Sequence, residues 1–316
     1  HVLGFGGFGF VVQALYYGAG VALKAVTAKS DLTAPGQRLG SIAQELRMLR
    51  RLKHPNLVLF YGACIEPASA ELVLVLEHVE GRGLREVAAL PVEQVGTVAR
   101  IELAHDVACA LTYLHSRSPA VVHGDIKGSN VLVETRCAGR LRAKLLDFGL
   151  SRLLSGGARR LGGTRLWAAP EVLRGEVAPH PSADVFSCGW LIYMIMTGRH
   201  PSEVASQDSW SSCSGARALP ELMWDPDSPL AVEGLLLCMS CLRYEPSSRP
   251  SIAEVLESVS QWRSSYGDPR PQSNQALASI QYALDLVRQG LATGEHMRPP
   301  GVQARAHERT QRFARL

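Results

Sequence analysis

The sequence predicts an α+β fold with two lobes: a small antiparallel β-sheet carrying one helix, followed by a larger, mainly helical lobe. Three observations support this prediction. Residues 1–79 contain glycine-punctuated and β-branched runs, which are typical of strands joined by turns. From residue 80 to about 263, apolar residues recur at helical spacing. The chain has 316 residues, 46% of them apolar and 20% charged, which is enough for a substantial core.

Strand signals cluster in the first lobe, with one helix between them. A β-branched and aromatic run leads to a turn near Gly18, and the next strand contains Val21-Ala22-Leu23-Lys24. An amphipathic helix is predicted over residues 41–52. Two later apolar runs, at 57–61 and 72–76, complete the predicted sheet.

Helical periodicity dominates the second lobe. Apolar residues at spacings of three and four predict a helix over 98–114, which ends before the loop at 116–119. The apolar run 185–196 predicts a core helix, and the run 235–242 a buried helix that contains Cys238 and Cys241. The stretch 202–229, rich in Ser, Pro and Gly, predicts a long surface segment.

A separate extension is predicted after the two lobes. We expect one domain over 1–263, with lobes at 1–79 and 80–263, and an extension over 264–316. The extension has one amphipathic helix, whose apolar stripe either docks on the helical lobe or binds a regulatory partner, and a basic tail. The apolar stripe consists of Leu277, Ile280, Leu284, Val287 and Leu291.

Charge and cysteine content narrow the function classes. A net charge of +4 is too mild to indicate nucleic acid or a membrane surface as a partner. Seven scattered cysteines indicate a reduced compartment, and no apolar run reaches the roughly 18 residues of a membrane span. Because the chain opens inside a glycine-rich motif, we expect a fragment, cytoplasmic or on the cytoplasmic side of a membrane. Lysine occurs at only five positions, 24, 29, 53, 127 and 144.

The glycine-rich motif contains G-x-G-x-x-G, formed by Gly4, Gly6 and Gly9. Dinucleotide-binding folds share this pattern, but there the third glycine opens a helix. Here a β-like run follows, and no acidic residue lies at the right distance, which argues against a nucleotide-binding oxidoreductase. The glycines therefore predict a hairpin whose backbone N–H groups can approach phosphate oxygens.

Three further motifs follow in a defined order. They are His123-Gly124-Asp125-Ile126-Lys127-Gly128-Ser129-Asn130, Asp147-Phe148-Gly149 and Ala169-Pro170-Glu171, and Val-Ala-Leu-Lys ending at Lys24 precedes them. With these motifs the chain resembles the eukaryotic protein kinase family over residues 1–263. The resemblance implies a bilobal kinase fold and ATP-dependent phosphorylation of proteins in signalling.

The resemblance implies which residues bind the metal ions and the phosphates of ATP. Lys24 would contact the α- and β-phosphates of ATP and pair with Glu45 on the first-lobe helix. Asp147 would hold Mg²⁺, or Mn²⁺ in its place, and Asn130 would hold the second ion. These cations are needed because the transferred group carries charge on three oxygens in the transition state.

The resemblance also assigns the groups that act on the acceptor. Asp125 would orient the substrate hydroxyl and accept its proton. Lys127 would neutralise the γ-phosphate.

The adenine pocket follows from the same resemblance. Leu76 would be the gatekeeper, and the backbone of Glu77 and Val79 would face adenine. An apolar sandwich is implied by Leu3, Val11, Ala22 and Leu132, for which ordinary core packing is the alternative.

Other positions match structural features of the family. Glu171 and Arg249 would form a buried ion pair, and Asp184 would anchor the backbone of the catalytic loop. An apolar spine is implied by Leu49, Phe60, His123 and Phe148.

The residues present in these motifs indicate serine/threonine specificity. The loop around Lys127, together with Thr164, is similar to that class, and Trp167 is similar to the tyrosine-kinase-like group, which includes Raf-like and receptor-like kinases. Ala168 departs from that group, which usually has Met there. Gly124 stands where the family commonly has Arg, which predicts activity independent of activation-loop phosphorylation. A pseudokinase scaffold that binds nucleotide or partners without turnover is the alternative.

Overall fold

The computed structural model describes residues 2–6, 9–26, 46, 49–65, 72–146, 165–174, 180–204 and 222–266. The first lobe contains a five-stranded antiparallel sheet in the order β1-β2-β3-β5-β4, and the second contains a three-stranded sheet, β6-β7-β8, with the helices. The predicted α+β organisation in two lobes is therefore confirmed. The strands are β1 Val2–Gly6, β2 Gly9–Tyr16, β3 Ala19–Val26, β4 Phe60–Ile65, β5 Leu72–Glu77, β6 Gly81–Gly83, β7 Val131–Thr135 and β8 Leu141–Leu145.

A two-residue turn joins β2 to β3. Tyr17 and Gly18 both have positive φ, 49° and 82°. Positive φ at both central residues is the requirement of the type I′ hairpin, whose twist matches that of the flanking strands. The turn predicted near Gly18 is confirmed, and it sets the register in which Val11 faces Lys24.

The predicted strand at 57–61 begins later than its apolar run suggests. The strand β4 starts at Phe60. Leu57 instead forms an isolated bridge with Leu145 of β8, and the Val58 amide donates to the Leu145 carbonyl at 3.0 Å. The apolar residues before Phe60 thus join the two lobes rather than extend the first sheet.

Helices form most of the second lobe. They are α1 Leu84–Ala88, α2 Val92–Val95, α3 Thr97–His115, α4 Pro170–Arg174, α5 Pro181–Thr197, α6 Ala231–Cys241 and α7 Ile252–Tyr266. The helices predicted over 98–114, 185–196 and 235–242 correspond to α3, α5 and α6. Residues 46 and 49–51 are helical within the predicted 41–52 segment. Within the described ranges, no helix is long and apolar enough to cross a membrane.

The central helix α5 is buried and capped at both ends. Every residue from Ala183 to Met196 is buried. The His180 side chain accepts the Ser182 amide at the N-terminus, and Gly198, at φ 74°, closes the C-terminus in a left-handed conformation. The buried Arg100 donates to the Ile195 carbonyl, where the negative end of the helix dipole stabilises its charge.

The C-x-x-C of helix α6 lies in this core. Cys238 and Cys241 are fully buried, and burial raises the pKa of the Cys241 thiol to about 12. Both side chains therefore remain protonated and pack as small apolar groups. Among the described residues, no cluster of three or more His, Cys, Asp or Glu side chains could hold a metal.

Close packing between α5 and α6 requires glycine at position 189. A Cβ placed on Gly189 would lie 2.6 Å from the Cys241 Cβ and 3.4 Å from the Leu242 Cγ. We expect Gly189→Ala to lower the free energy of unfolding by about 1–3 kcal/mol, since the clash outweighs the helix propensity of alanine. Urea denaturation measures this. Gly62→Ala is the control, because a Cβ there meets nothing within 4 Å, and equal effects of the two substitutions would contradict the packing argument.

Candidate active site

One face of the first sheet carries four of the predicted nucleotide-binding residues. In the antiparallel register Val11 pairs with Lys24, and Ala22 pairs with Leu76. Paired residues project from the same side of a sheet, as do residues two apart on one strand. Val11, Ala22, Lys24 and Leu76 therefore share one face, on which Lys24 is only 6% exposed.

The glycine-rich hairpin lies at the edge of that sheet. Gly6 pairs with Gly9, and Gly4 pairs with Val11 after an irregularity in the strand. A Cβ at Gly4 would meet nothing within 4 Å, so crowding within the protein does not explain this glycine. Leu3, predicted to contact adenine, is 42% exposed in β1.

Asp184 holds the loop that carries the predicted catalytic residues. This carboxylate is buried near the start of α5 and accepts the backbone N–H groups of His123 at 2.8 Å and Gly124 at 2.9 Å. His115 Nε2 lies 2.9 Å from the same carboxylate. Gly124 has a φ of 76°, a conformation that glycine adopts without strain. The predicted anchoring role of Asp184 is confirmed.

Two predicted catalytic residues, Asp125 and Lys127, and the predicted metal ligand Asn130 meet at one carboxylate. Lys127 Nζ lies 2.7 Å from Asp125 Oδ2, and Asn130 Nδ2 donates to the same oxygen at 2.9 Å. Asn130 also donates to the Asp125 backbone carbonyl at 2.7 Å. Within the described part of the chain, the buried Oδ1 of Asp125 accepts no hydrogen bond. Asp125 thus has one oxygen held by its neighbours, while the other has no hydrogen-bond partner among the described residues.

His123 connects this loop to the segment that precedes Asp147. Its Nδ1 accepts the Asp125 amide at 3.2 Å, so Nε2 carries the proton donated to the Leu146 carbonyl at 2.8 Å. The Leu146 amide donates to the Asn130 carbonyl at 2.8 Å. These bonds hold Leu146 beside the loop of Asp125 and Asn130.

The remaining predicted pocket residues lie in the connection between the lobes and in β7. Glu77 ends β5, and Val79 follows in the segment that leads to β6. Leu132 lies in β7 and is half-buried, opposite Gly83 of β6. The structure therefore places Leu132 in the second lobe and Ala22 in the first, as the predicted sandwich requires.

Several predicted residues lie outside the described ranges. They are Glu45, Asp147, Phe148, Gly149 and Thr164, together with the extension after residue 266. Two predicted spine residues, Leu49 and Phe60, are buried in the hydrophobic core, and His123 is fully buried. The predicted ion pair of Glu171 and Arg249 is confirmed, with N–O distances of 2.7 and 2.8 Å.

Two charged residues that lie in or against β8 were not predicted. Lys144 of β8 binds the Glu77 carboxylate through both oxygens, at 2.6 and 2.8 Å. Asp106 of α3 accepts the Ala143 amide at 2.9 Å. The sparse use of lysine was the one available signal for Lys144, whereas nothing in the local sequence distinguishes Asp106.

Burial raises the pKa of Asp106 from 3.8 to about 6, although the Ala143 amide, Asn56 and Arg142 oppose that shift. The folded protein thus binds this proton more tightly than the unfolded chain. Stability from this group is fully present below about pH 4 and is lost as pH rises through about 6. We expect the free energy of unfolding of Asp106→Asn, relative to that of the unaltered protein, to rise across this window by about 2–3 kcal/mol in total.

Urea unfolding of both proteins at several pH values from 4 to 8 measures this difference. Because the two proteins share all other titrating groups, the contribution of those groups cancels in the difference between the two free energies of unfolding. Asp227→Asn, at an exposed carboxylate, is the matched control. A stability difference that does not vary with pH would contradict the assignment.

A small cavity of about 20 Å³ adjoins the catalytic loop. It is lined by Gly124 and Asp125 on one side and by Trp167, Ala168 and Val172 on the other. The Trp167 carbonyl accepts the Ser187 hydroxyl at 2.7 Å, which fixes this segment on α5. The side of the cavity opposite Asp125 is therefore formed mainly by apolar side chains.

Comparison with known proteins agrees with this geometry. A family model described as a protein kinase domain matches residues 1–260. The serine/threonine-protein kinase CTR1 of Arabidopsis thaliana is 31% identical over 271 residues, which cover 81% of this chain and 30% of that protein. The mitogen-activated protein kinase kinase kinase 7 of Bos taurus is 32% identical over 263 residues, which cover 81% and 42%. The chain spans less than half the length of these curated relatives.

Proposed function

The chain belongs to the protein kinase family, whose model it matches over residues 1–260, and from this premise we propose that it is a protein serine/threonine kinase. It transfers the γ-phosphoryl group of ATP to hydroxyl groups of protein substrates. The observation that carries this proposal is the convergence of Lys127 and Asn130 on one oxygen of the Asp125 carboxylate, whose other oxygen, Oδ1, accepts no hydrogen bond from the described residues. A substrate hydroxyl is a donor of the kind that this oxygen lacks.

The arrangement around Asp125 accounts for the proton transfer. The substrate O–H donates to Asp125 as its oxygen bonds to the γ-phosphorus and the bond from that phosphorus to the β–γ bridging oxygen breaks. The proton passes to Asp125, and ADP leaves. Lys127, held 2.7 Å from Asp125 Oδ2, supplies positive charge next to the acceptor. Because the loop is fixed by Asp184 and His123, little reorganisation is needed during the step.

The residues present fit a divalent cation. Asn130 uses its amide nitrogen on Asp125, which leaves its side-chain oxygen as the atom suited to a hard cation. We propose that Asn130 and Asp147 hold Mg²⁺, with Mn²⁺ as a substitute. The ion would neutralise charge on the phosphates.

The nucleotide pocket is proposed from the shared sheet face and the connection between the lobes. Val11, Ala22 and Leu132, with Leu3 at the rim, would enclose adenine, next to Leu76 and the backbone of Glu77 and Val79. Gly4, Gly6 and Gly9 would approach the phosphates with their backbone amides, and Lys24, paired with Glu45, would add a cation. The open space beside Gly4 supports this placement.

The acceptor class and the compartment complete the proposal. The relatives CTR1 and SIS8 of Arabidopsis thaliana are named as serine/threonine-protein kinases or probable ones, which supports Ser and Thr as acceptors. A cytoplasmic location is proposed from the scattered cysteines, which are typical of a reduced compartment.

Labelled ATP, Mg²⁺ and a generic basic protein, followed by phosphoamino-acid analysis, test the proposed function. We expect phosphoserine and phosphothreonine that depend on Asp125. Phosphotyrosine as the main product would contradict the acceptor class. Nucleotide binding without any turnover would instead identify a pseudokinase scaffold.

A further inference from the structure

The strand β8 connects the two lobes through backbone hydrogen bonds. Residues 143 and 145 direct their backbone groups away from β7, and first-lobe residues take up most of them. Asn56 Nδ2 donates to the Ala143 carbonyl at 3.0 Å, and the Asn56 carbonyl accepts the Leu145 amide at 2.8 Å. The Leu145 carbonyl accepts the Val58 amide at 3.0 Å. A second-lobe strand therefore completes its hydrogen bonding with the first lobe.

Lys144 lies in the middle of β8, and its side chain contacts the segment that joins the lobes. Its ammonium binds both oxygens of Glu77, at 2.6 and 2.8 Å, while the lysine side chain is 9% exposed. Lys144 is also the register partner of Leu132 in β7. One residue thus contacts the end of β5 through its side chain and pairs with the proposed floor of the adenine pocket through its backbone.

Glu77 is held from a second direction. Its backbone N–H donates to the Leu59 carbonyl at 2.8 Å, and its Oε2 accepts the Leu59 amide at 3.1 Å. The carboxylate therefore lies between Leu59 of the first lobe and Lys144 of the second. A low exposure of the lysine strengthens this charge-assisted bond relative to one on an open surface.

From this geometry we propose that Lys144 is a positioning residue for the nucleotide. By holding the Glu77 carboxylate, it fixes the distance between the backbone of Glu77 and Val79 and the side chain of Leu132. That distance is the width of the proposed adenine pocket. This inference rests on the proposed function, because it concerns the nucleotide that a kinase binds. Lys144 contacts neither the phosphates nor the acceptor in this scheme, so its effect belongs to nucleotide affinity rather than to the chemical step.

Substitution of Lys144 by methionine in the full chain tests the proposal. We expect the Kd for Mg²⁺·AMP-PNP, measured by calorimetry, and the KM for ATP to rise about tenfold, which is about 1.4 kcal/mol of binding free energy. The kcat should change by less than about twofold. Arg142→Met is the matched control: Arg142 lies on the same face of β8, and its ion pair is a long 3.8 Å contact with Glu134 rather than a contact with Glu77. Arg142→Met should leave the Kd for Mg²⁺·AMP-PNP and the KM for ATP within about twofold of the values of the unaltered protein.

A double variant separates positioning from stability. Lys144→Met alone leaves the Glu77 carboxylate half-buried without its cation, which lowers the melting temperature. Glu77→Gln/Lys144→Met removes both charges, so the melting temperature should recover while the Kd for Mg²⁺·AMP-PNP stays raised. Recovery of nucleotide affinity together with stability would overturn the proposal, as would an unchanged or lower Kd in Lys144→Met. If the unaltered protein binds no Mg²⁺·AMP-PNP, the proposed function fails, and this inference fails with it.

Discussion

Asp125→Asn is expected to lower turnover by at least about 100-fold, the usual scale for loss of a group that accepts a proton in the transition state. Asparagine has nearly the same shape and can still accept the hydrogen bond from Asn130, now 2.9 Å from Oδ2. Its amide cannot take up the proton of a substrate hydroxyl. The loop should remain in place, because Asp184 and His123 hold its backbone independently of this side chain.

Steady-state kinetics with ATP and a protein substrate measure this effect. Calorimetric binding of Mg²⁺·AMP-PNP and the melting temperature show whether the variant retains its site and fold. Asp227→Asn is the matched control, since this carboxylate is exposed in a turn far along the chain from the loop. A kcat within about tenfold of the unaltered protein would remove Asp125 from the proposed role of proton acceptor.

Arg249→Met is expected to lower the free energy of unfolding by about 3–5 kcal/mol, the scale for breaking a buried ion pair from one side. The Arg249 side chain is fully buried and donates to both oxygens of Glu171 at 2.7 and 2.8 Å. It also donates to three backbone carbonyls, those of Ser182, Arg243 and Tyr244. Methionine would leave Glu171 charged and buried, and these carbonyls would lose a donor.

Urea denaturation with linear extrapolation measures the loss. Arg263→Met is the matched control, because Arg263 is 44% exposed and pairs with Glu102 at 3.2 Å. Exposed pairs of this kind contribute about 0–1 kcal/mol. If the two substitutions proved equally mild, Arg249 would not have the structural role that its bonds indicate. A second variant, Glu171→Gln/Arg249→Met, should recover part of the stability, since it buries no unpaired carboxylate.

The proposed chemistry could be predicted from the sequence because its residues are contiguous in short motifs. Asp125, Lys127 and Asn130 lie within six positions of one another, and in the structure they meet at one carboxylate. The structure does not describe Asp147 or Glu45, whose roles stay predictions. Local patterns also predicted the turn at Tyr17 and Gly18 and the buried helix α5, since both depend on neighbouring residues.

The sequence prediction placed the start of β4 too early, because contacts with the other lobe determine where this strand begins. Leu57 and Val58 are as apolar as Phe60, so periodicity alone cannot separate them. The Val58 amide donates to the Leu145 carbonyl in the other lobe, and Leu57 forms an isolated bridge with the same residue. That competing partner ends the first sheet at Phe60.

The amino-acid sequence by itself determined the two-lobed fold and the identity of the residues proposed for phosphoryl transfer, because periodicity and short motifs depend on residues close together along the chain. Only the tertiary structure brought Lys144 to Glu77, 67 positions away, and buried Asp106 against β8. Neither residue has a local pattern that distinguishes it from an ordinary surface charge. Their partners depend on strand register and lobe contact, and burial then strengthens the ion pair and raises the pKa of the carboxyl group.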